Sequence, residues 1–407
     1  MGARKAAFLA LAAAAAALQT PAPRRAARRA PRRTTPQTMA LGGLAPELRP
    51  CSIKVIGVGG GGSNAVNRMV ESSIRGVEFW VVNTDAQALA GTRRGTSGLH
   101  IGKVLTRGLG AGGEPSVGRA AADESRDDIE AMVAGADLVF ITAGMGGGTG
   151  SGAAAVVANA ARSRGALTVG VVTKPFGFEG RKRSRQAIEA IERLEGEVDT
   201  LIVVSNDKLL SIVPANAPLA DAFLVADDVL RQGIVGISEI IVKPGLINVD
   251  FADVRAVMKD AGAALIGIGT GRGPTRAEDA AVAAISSPLL EVPVLNAKGI
   301  VFNIIGGPTM TLAEVDRAAQ IIYENVDADA NIIFGALVQD GMEDELSITV
   351  LATGIASSFI ERVVKAPVDI KPLLPKSALD AQPQKGDDQR PDGKPPGRGL
   401  PSFLRRK

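Results

Sequence analysis

The sequence contains very little cysteine, histidine or aromatic residue. Cys51 and His100 are each the single residue of their type, and aromatic residues make up 3% of the 407 positions. A single cysteine excludes an intrachain disulfide and a multi-cysteine metal site. A single histidine cannot supply the ligands of a histidine-rich zinc site and argues against a histidine-based catalytic triad. No protein-bound metal centre is therefore predicted.

Small residues dominate the chain instead. It has 48 glycines and a hydrophobic content of 46%. This composition favours an α/β fold over an all-β sandwich, and the length favours two or three domains.

Basic residues are concentrated at the two ends of the chain. Residues 1–50 hold nine Lys or Arg and one Glu, and residues 371–407 hold nine Lys or Arg and four Asp. The intervening residues 51–370 hold 28 basic and 38 acidic residues. Since this body is acidic and has no basic stripe interleaved with aromatics, the chain is not predicted to bind nucleic acid.

The first 50 residues have the composition of a targeting segment. Ala6–Leu18 is a 13-residue apolar run, and a stretch rich in Arg without acidic residues follows it. The run is too short to span a bilayer but fits the core of a signal peptide, and the second stretch is similar to a transit peptide. We expect a bipartite presequence that leads to a plastid through the secretory route, and no transmembrane segment in the mature chain. A simple chloroplast or mitochondrial presequence is the alternative.

Hydrophobic patterning predicts two folded parts joined by a helix. Five apolar runs alternate with helical segments between Ile53 and Val204, which is typical of βαβ units and a parallel sheet. A long helix is predicted over Leu219–Val242, with Pro218 before it and Pro244 after it. Four further apolar runs alternate with two helices and predict a smaller α+β domain.

Two sequence patterns mark the ends of these elements. The Thr-x-x-Glu pairs Thr275/Glu278 and Thr311/Glu314 predict a capping box at each helix of the second domain. From Pro367 the chain is rich in Pro, Gly, Asp and Lys without apolar periodicity, which predicts a disordered linker. The predicted organisation is a targeting segment 1–50, an α/β domain 51–218, a connecting helix 219–243, an α+β domain 244–365, a linker 366–398 and a terminal peptide 399–407.

Two glycine-rich loops, Gly57–Asn64 and Gly144–Gly152, indicate a nucleotide site. Each follows an apolar strand and opens a helix of small residues. A helix N-terminus offers unpaired N–H groups and partial positive charge to phosphate, and glycine lets the backbone approach closely. The P-loop pattern G-x-x-x-x-G-K-[ST] is missing from the sequence. Phosphate would therefore be held mainly by main-chain N–H groups.

The first loop also fits a dinucleotide-binding fingerprint. Gly57, Gly59 and Gly62 form G-x-G-x-x-G, and Asp85 lies 23 residues beyond Gly62, near the position of a ribose-binding acid. From these residues alone, a nicotinamide-dependent oxidoreductase is the alternative.

The second loop is more specific, because GGGTGSG at residues 146–152 resembles the signature segment of the tubulin and FtsZ superfamily. The blocks KVIGVGGGGSNAVNRM, LTRGLGAGGEPSVGR, NVDFADVR and ATGI resemble FtsZ proteins in the same order. The resemblance extends from Ser52 to about Phe359 and includes the last nine residues. It implies a tubulin-like N-terminal GTPase domain with a parallel Rossmann-like sheet, a long connecting helix and a smaller α+β C-terminal domain.

The resemblance implies GTP or GDP as ligand, with Mg2+. The residues implied for the phosphates are Gly60, Gly61, Gly62, Ser63, Asn64, Gly146, Gly147, Gly148, Thr149 and Gly150, with Gly110–Gly113 beside the γ-phosphate. Glu179 and Arg183 are implied at the ribose, although their i,i+4 spacing alone equally fits a surface ion pair.

Base recognition is implied for Asn206, Phe223 and Asp227. Phe223 and Asp227 are four residues apart, so one helix face presents a ring and a carboxylate. A carboxylate accepts the two N–H donors of the guanine edge. From the spacing alone, Phe223 in the core beside a solvated Asp227 is the alternative.

The segment around Asn248, Asp250 and Asp253 is implied to be catalytic. The residues alone predict Asp250 as a helix N-cap and Asp253 in the first turn. The resemblance implies that this loop enters the nucleotide pocket of the next subunit, where the carboxylates orient the attacking water. A head-to-tail contact that does not close gives a filament.

The C-terminal peptide resembles the FtsZ segment that binds a membrane-tether adaptor, with Leu400, Pro401, Phe403, Leu404 and Arg405 as contacts. The segments KPFGFEGRKR and VADDVLRQGIVGIS resemble plastid members. The resemblance as a whole implies a self-assembling GTPase of the plastid division ring, with a sister FtsZ as a further partner. An FtsZ-like structural or regulatory partner with little turnover is the alternative.

Overall fold

The computed structural model describes residues 51–71, 76–209, 218–243, 245–287, 289–290 and 297–355. The side chains of residues 219–222 are outside this description. The predicted targeting segment 1–50, linker 366–398 and terminal peptide 399–407 also lie outside the described residues.

The described strands form a single ten-stranded sheet. Its order is β3-β2-β1-β4-β5-β6-β7-β10-β8-β9. The first six strands, in the order 3-2-1-4-5-6, are parallel and have the arrangement of a doubly wound α/β sheet. The strands are β1 (Ile53–Val58), β2 (Val77–Asn83), β3 (Thr96–His100), β4 (Leu138–Gly144), β5 (Leu167–Lys174), β6 (Thr200–Ser205), β7 (Gly262–Arg272), β8 (Gly299–Gly306), β9 (Asn331–Val338) and β10 (Glu345–Ile355).

Helices cover both faces of this sheet. They are α1 (Gly59–Glu71), α2 (Ala86–Ala90), α3 (Lys103–Thr106), α4 (Pro115–Glu124), α5 (Arg126–Val133), α6 (Gly148–Ser163), α7 (Arg181–Glu195), α8 (Asn206–Leu209), α9 (Leu219–Val242), α10 (Phe251–Met258), α11 (Arg276–Ile285) and α12 (Leu312–Glu324). In the part of the chain that the structure describes, no helix combines the length and apolarity that crossing a bilayer requires.

The core consists of two buried layers. One joins a face of the sheet to α4–α7, α11 and α12, and the other joins the opposite face to α1, α9 and α10. Strands β4 and β5 are buried along almost their whole length. Continuous apolar runs such as these are expected when a parallel strand has helices on both sides.

The sheet continues from the first predicted domain into the second. Strand β7 pairs in parallel with β6 through Thr200↔Gly262, Leu201↔Ala263 and Ile202↔Ala264. On its other side, β7 pairs antiparallel with β10. The two halves of the molecule are therefore joined by main-chain hydrogen bonds as well as by α9.

The structure confirms the nine strands predicted from apolar runs and the long helix over Leu219–Val242. Strand β3 was missed. It is an edge strand that pairs with β2 alone, and its sequence TSGLH has no apolar run, in keeping with five residues that are exposed or only partly buried.

One of the two predicted capping boxes is wrong. Thr311 accepts a hydrogen bond from the amide of Glu314 at 3.3 Å, and Glu314 accepts one from the amide of Thr311 at 2.7 Å, as predicted. Thr275 makes no such cap, because its backbone (φ −104°, ψ 15°) lies outside the extended region that N-caps adopt. Its hydroxyl contacts the carboxylate of Asp279 at 2.8 Å instead.

Candidate functional site

The two glycine-rich loops meet at the point where the order in which strands are added to the sheet reverses. Strands β1 and β4 are neighbours, and the chain leaves β1 toward β2 but leaves β4 toward β5. Their following helices, α1 and α6, begin at Gly59 and Gly148 on the same edge of the sheet. A side-chain carbon at Gly59 would lie 2.8 Å from the amide nitrogen of Gly150, so the loops are in contact. Doubly wound sheets bind their ligands in the crevice between two such loops, at the carboxyl ends of the strands.

Some glycines in the loops are required by packing within the protein, and others leave space that a ligand can occupy. At Gly62 a β-carbon would lie 2.3 Å from the carbonyl oxygen of Thr142, so packing excludes a side chain there. At Gly60 and Gly147 a β-carbon would meet nothing within 4 Å, and Gly147 has an ordinary φ of −93°. The protein itself does not need glycine at these two positions. The bare backbone there faces open space that a phosphate can occupy.

Hydroxyl groups fix the shape of both loops. Ser63 Oγ donates to the carbonyl of Gly59 at 2.7 Å, and Ser151 Oγ accepts from the amide of Gly146 at 2.8 Å. The hydroxyls of Thr149 and Thr84 are 2.7 Å apart, which ties the second loop to the end of β2. Thr84 was missed in the sequence, because no spacing rule reports a contact between separate βα units, and Ser151 was missed although it lies within the second glycine loop itself.

A third loop lies against the second. Gly110, Gly112 and Gly113 have φ values of 84°, 60° and 76°, which favour glycine. A β-carbon on Gly148 would lie 2.8 Å from the side chain of Ala111, so loop 110–113 packs beside the start of α6. The resemblance-based assignment of this loop to the γ-phosphate stays a prediction.

Glu179 and Arg183 form the i,i+4 ion pair that their spacing allows. Glu179 also accepts a hydrogen bond from the amide of Phe176 at 2.9 Å. A β-carbon on Gly146 would lie 2.8 Å from the carbonyl of Arg183, so the pair borders the second glycine loop. This position is compatible with the predicted ribose contact.

Asn206 has an unusual environment for a buried amide. It begins α8 at the end of β6, and its Oδ1 has no hydrogen-bond partner among the described residues. A buried polar atom without a partner costs about 1–3 kcal/mol. A ligand N–H group that approaches Asn206 would remove this cost.

Phe223 is not in the core, so the alternative drawn from spacing alone is wrong. Its side chain is 41% exposed and meets the ring of Phe176 edge-on at 5.3 Å, while Phe176 stacks on Phe178 at 5.0 Å. The aromatic group extends the apolar surface of α9 near the loop after β5. A planar base can stack on such an exposed ring.

Asp227 is partly buried and lies beside Arg68 of α1, with 3.2 Å between Arg68 Nε and Asp227 Oδ2. Burial raises the pKa of Asp227 to about 6, and the guanidinium of Arg68 opposes this shift. Asp227 is therefore not the solvated carboxylate of the alternative reading. Arg68 was missed, because the sequence gives no sign that α1 and α9 cross at this point.

The structure confirms that Asp250 is the N-cap of α10. Its Oδ1 accepts a hydrogen bond from the amide of Asp253 at 2.8 Å. Asn248 Oδ1 accepts one from the amide of Gly245 at 2.5 Å. The side chains of Asn248, Asp250 and Asp253 are exposed.

These three residues belong to the opposite edge of the sheet from the glycine loops. Two hydrogen bonds hold helix α10 at the amino-terminal edge. The guanidinium of Arg255 donates to the carbonyl of Gly165 before β5, and the hydroxyl of Thr200 at the start of β6 donates to the carbonyl of Met258. The glycine loops follow the carboxyl ends of β1 and β4. Strands of six to eight residues, such as β6 and β5, are about 20–26 Å long. One chain therefore does not bring its own Asp250 and Asp253 to its glycine loops.

The bare backbone at Gly60 leads to a direct prediction. We expect Gly60→Ala to weaken GTP binding roughly ten- to hundredfold, the cost of a lost charge-assisted hydrogen bond to phosphate. Folding should be unaffected, because the new methyl group meets no protein atom. The measurement is calorimetric titration of nucleotide-free protein with GTP, together with thermal unfolding.

Gly196→Ala is the matched control for this substitution. Gly196 caps α7 with an ordinary φ of −68°, and its β-carbon would lie 3.8 Å from the nearest protein atom. Unchanged GTP affinity in Gly60→Ala would show that the phosphate does not approach this part of the loop.

Comparison with known proteins agrees with this geometry. The GTPase domain of the Tubulin/FtsZ family matches residues 52–214, and the FtsZ family C-terminal domain matches residues 262–356. A solved FtsZ dimer from M. jannaschii is 44% identical, with a TM-score of 0.72, and the match covers 76% of this chain and 93% of that one.

Two further solved structures are similar. A point variant of FtsZ from M. jannaschii is 45% identical, with a TM-score of 0.72 and coverage of 75% of this chain and 92% of that one. A protofilament of CetZ2 from Haloferax volcanii with bound GTPgS is 21% identical, with a TM-score of 0.64 and coverage of 77% and 98%, and shows the shared fold. The two domain matches, and the identity to FtsZ over nearly its whole length, show that this chain belongs to the FtsZ family and carries its guanine-nucleotide-binding, GTP-hydrolysing domain.

Proposed function

We propose that the chain is a GTPase that assembles head to tail and hydrolyses GTP between two of its copies. The observation that carries this proposal is the separation of the glycine loops from Asp250 and Asp253 at opposite edges of one sheet. A second copy stacked on the first would bring its aspartates to the nucleotide of its neighbour. Because the surfaces in contact differ, the contact can repeat from copy to copy, and it gives a filament when the rotation between copies does not close a ring.

Exposed apolar side chains support an association surface at both edges. Leu109 is 85% exposed and Val104 is 80% exposed, and both lie close in sequence to the loop 110–113. Leu246 is 68% exposed and lies two residues before Asn248. The FtsZ from M. jannaschii was solved as a dimer, and CetZ2 as a protofilament.

In this arrangement main-chain N–H groups of the two glycine loops hold the phosphates, and Asp250 and Asp253 of the next copy orient the attacking water. Asp250 would do so while capping α10, since its second carboxylate oxygen is available. Asn248 would shape the loop, because its side chain already binds the amide of Gly245.

Mg2+ is part of the proposal as a companion of the triphosphate. Among the described residues there is no group of three or more His, Cys, Asp or Glu side chains that could hold a metal ion. Mg2+ commonly binds through substrate phosphates and water with few protein ligands. The ion would therefore enter with GTP and neutralise phosphate charge.

The guanine base is proposed to lie between Phe223, Asn206 and Asp227. The exposed ring of Phe223 offers a stacking surface, the amide oxygen of Asn206 offers an acceptor, and the carboxylate of Asp227 offers a further acceptor beside its contact with Arg68. Glu179 and Arg183 would border the ribose. The acceptors on Asn206 and Asp227 suit the N–H donors of guanine better than adenine, whose corresponding edge carries a different set of donors and acceptors.

The proposal is tested by the concentration dependence of turnover. We expect GTP hydrolysed per molecule to rise with protein concentration and then level off, since pairs of molecules complete each site. Pelleting should occur with GTP and not with GDP. Val104→Glu should reduce both pelleting and turnover while GTP affinity stays within about twofold, because the added charge lies on α3, in the proposed contact and outside the phosphate loops.

Val282→Glu is the matched control, since Val282 is 50% exposed on α11, outside both proposed contact surfaces. Specific activity that is flat across concentration would contradict a shared site. Pelleting without turnover would favour the alternative of a structural FtsZ-like partner.

We also propose that the protein acts in plastid division. The support is the composition of residues 1–50 and the resemblance of the chain to plastid FtsZ proteins. The terminal peptide with Leu400, Pro401, Phe403, Leu404 and Arg405 would bind a membrane-tether adaptor, and a sister FtsZ would join the filament. A fluorescent protein fused to residues 1–50 would report the compartment.

A further inference from the structure

The ion pair between Arg68 and Asp227 joins the two helices that border the proposed nucleotide site. Helix α1 carries Arg68 and begins at the first glycine loop, and α9 carries both Asp227 and Phe223. Arg68 Nε lies 3.2 Å from Asp227 Oδ2, with side-chain exposures of 32% and 17%. The contact is made by Oδ2, and a carboxylate has a second oxygen that can accept further hydrogen bonds.

Several charged groups lie on the elements that pack against α9. Arg68 and Glu71 come from α1, and Glu71 is paired with Arg93. The strands β8 and β9 also pack on α9 and contain no charged residue. The remaining charged groups on packed elements or next to Asp227 are Lys174 on β5, Asp207 and Lys208 on α8, and Asp228 and Arg231 on α9 itself. Of these groups, Arg68 is the cation that stabilises the charge of Asp227.

We propose that Arg68 is a positioning residue for guanine selectivity, holding Asp227 as an oriented carboxylate whose second oxygen accepts N–H donors from the base. This inference rests on the proposed role of Asp227 in base recognition. An ionised carboxylate only accepts hydrogen bonds, whereas a protonated one also donates. Losing the charge of Asp227 would therefore weaken the preference for a base with two N–H donors on this edge.

Burial makes this role necessary. Without a cation, a carboxylate as buried as Asp227 would be protonated at higher pH, because burial raises its pKa. With Arg68 in contact, the group titrates near pH 6 and is charged at neutral pH. The guanidinium thus keeps the acceptor in its working form.

The test compares GTP with inosine triphosphate, which lacks the 2-amino donor. The ratio of the two dissociation constants is measured from about pH 5.5 to 8, so that protonation of the shared triphosphate cancels. In the natural protein we expect the preference for GTP to be constant above about pH 7 and to fall as the pH drops through 6. In Arg68→Gln the midpoint of this fall should move upward by about one pH unit or more.

Two further variants make the outcome decisive. Arg68→Lys keeps the positive charge and should retain the midpoint of the natural protein. Asp227→Asn cannot titrate and should show little preference for GTP at any pH. Circular dichroism verifies that each variant is folded.

The results separate the inference from the proposed function. If Arg68→Gln weakens GTP and inosine triphosphate equally at every pH, Arg68 only packs the two helices and the inference is wrong. If Asp227→Asn still prefers GTP, the proposed base site is wrong, and the role of Arg68 in it falls as well.

Discussion

Replacing Asp250 or Asp253 by Asn is expected to reduce GTP turnover roughly 10²- to 10⁴-fold, the contribution of a positioned carboxylate to proton transfer and water activation. GTP affinity should stay within about twofold, because the glycine loops of the same chain hold the phosphates. Single-turnover phosphate release and equilibrium binding of GTP, measured on the same preparation, check both expectations.

Asparagine is the informative replacement at these positions. Asp250 caps α10 through the amide of Asp253, and an asparagine side chain caps a helix about as well as aspartate. Asp250→Ala would lose both the cap and the charge, with an added stability cost of about 1 kcal/mol. Asp260→Asn is a matched control, since Asp260 is an exposed acid shortly after α10. Equal loss of binding and turnover in Asp250→Asn would contradict a site shared between two copies.

Removing the charge of Glu314 is expected to destabilise the C-terminal half by about 1.5–3 kcal/mol, the contribution of a hydrogen bond to a charged group. Arg276 is buried, and its Nε lies 2.7 Å from Glu314 Oε1. Arg276 also donates to the carbonyl of Glu343 and to Thr309. Glu314→Gln would remove the carboxylate that the buried guanidinium contacts directly and leave Asp344 as a weaker counter-charge. Urea unfolding followed by circular dichroism measures the loss, and hydrogen exchange in α12 and β10 locates it.

The pH dependence of stability gives a second readout of this pair. The hydrogen bond from Arg276, with smaller help from Thr311, lowers the pKa of Glu314 from 4.5 to about 2. Because the folded pKa is below the unfolded one, the stabilisation is fully present above pH 4.5 and is lost as the pH falls toward 2. Glu314→Gln should remove this part of the acid dependence.

Glu278→Gln is the control for Glu314→Gln. Glu278 pairs with Arg317 at 3.3 Å, but both side chains are largely exposed. Exposed pairs contribute about 0–1 kcal/mol. Similar losses in the free energy of unfolding of the two variants would show that burial of the Arg276–Glu314 pair does not increase its contribution to stability.

Local patterns in the sequence predict the backbone of this molecule well. Apolar runs mark the buried strands because β4 and β5 are covered on both faces, and the two prolines bracket α9 because neither fits inside a helix. Strand β3 escapes prediction because none of its residues is fully buried, so TSGLH carries no apolar run, whereas the other edge strand, β9, does have one. Thr275 shows the opposite failure, since its capping motif is present but its backbone does not adopt the conformation that the motif requires.

The candidate site is predictable only in part. The glycine loops are visible because phosphate binding acts through consecutive backbone groups, which leave a compact signature. The pairing of Arg68 with Asp227, and of Thr84 with Thr149, joins residues far apart in the chain and depends on how helices and strands pack. The open space at Gly60, and the orphan oxygen of Asn206, are likewise properties of the folded molecule.

The placement of glycine loops and aspartates at opposite edges has a consequence for any polymer built from this chain. In the proposed stack, one terminal subunit carries a pocket open to solvent and the other terminal subunit carries an unused pair of carboxylates. Nucleotide exchange would be fast at the first tip and obstructed everywhere inside. The two ends of the polymer would therefore grow and shrink at different rates, so the polymer would be polar in its kinetics as well as in its structure.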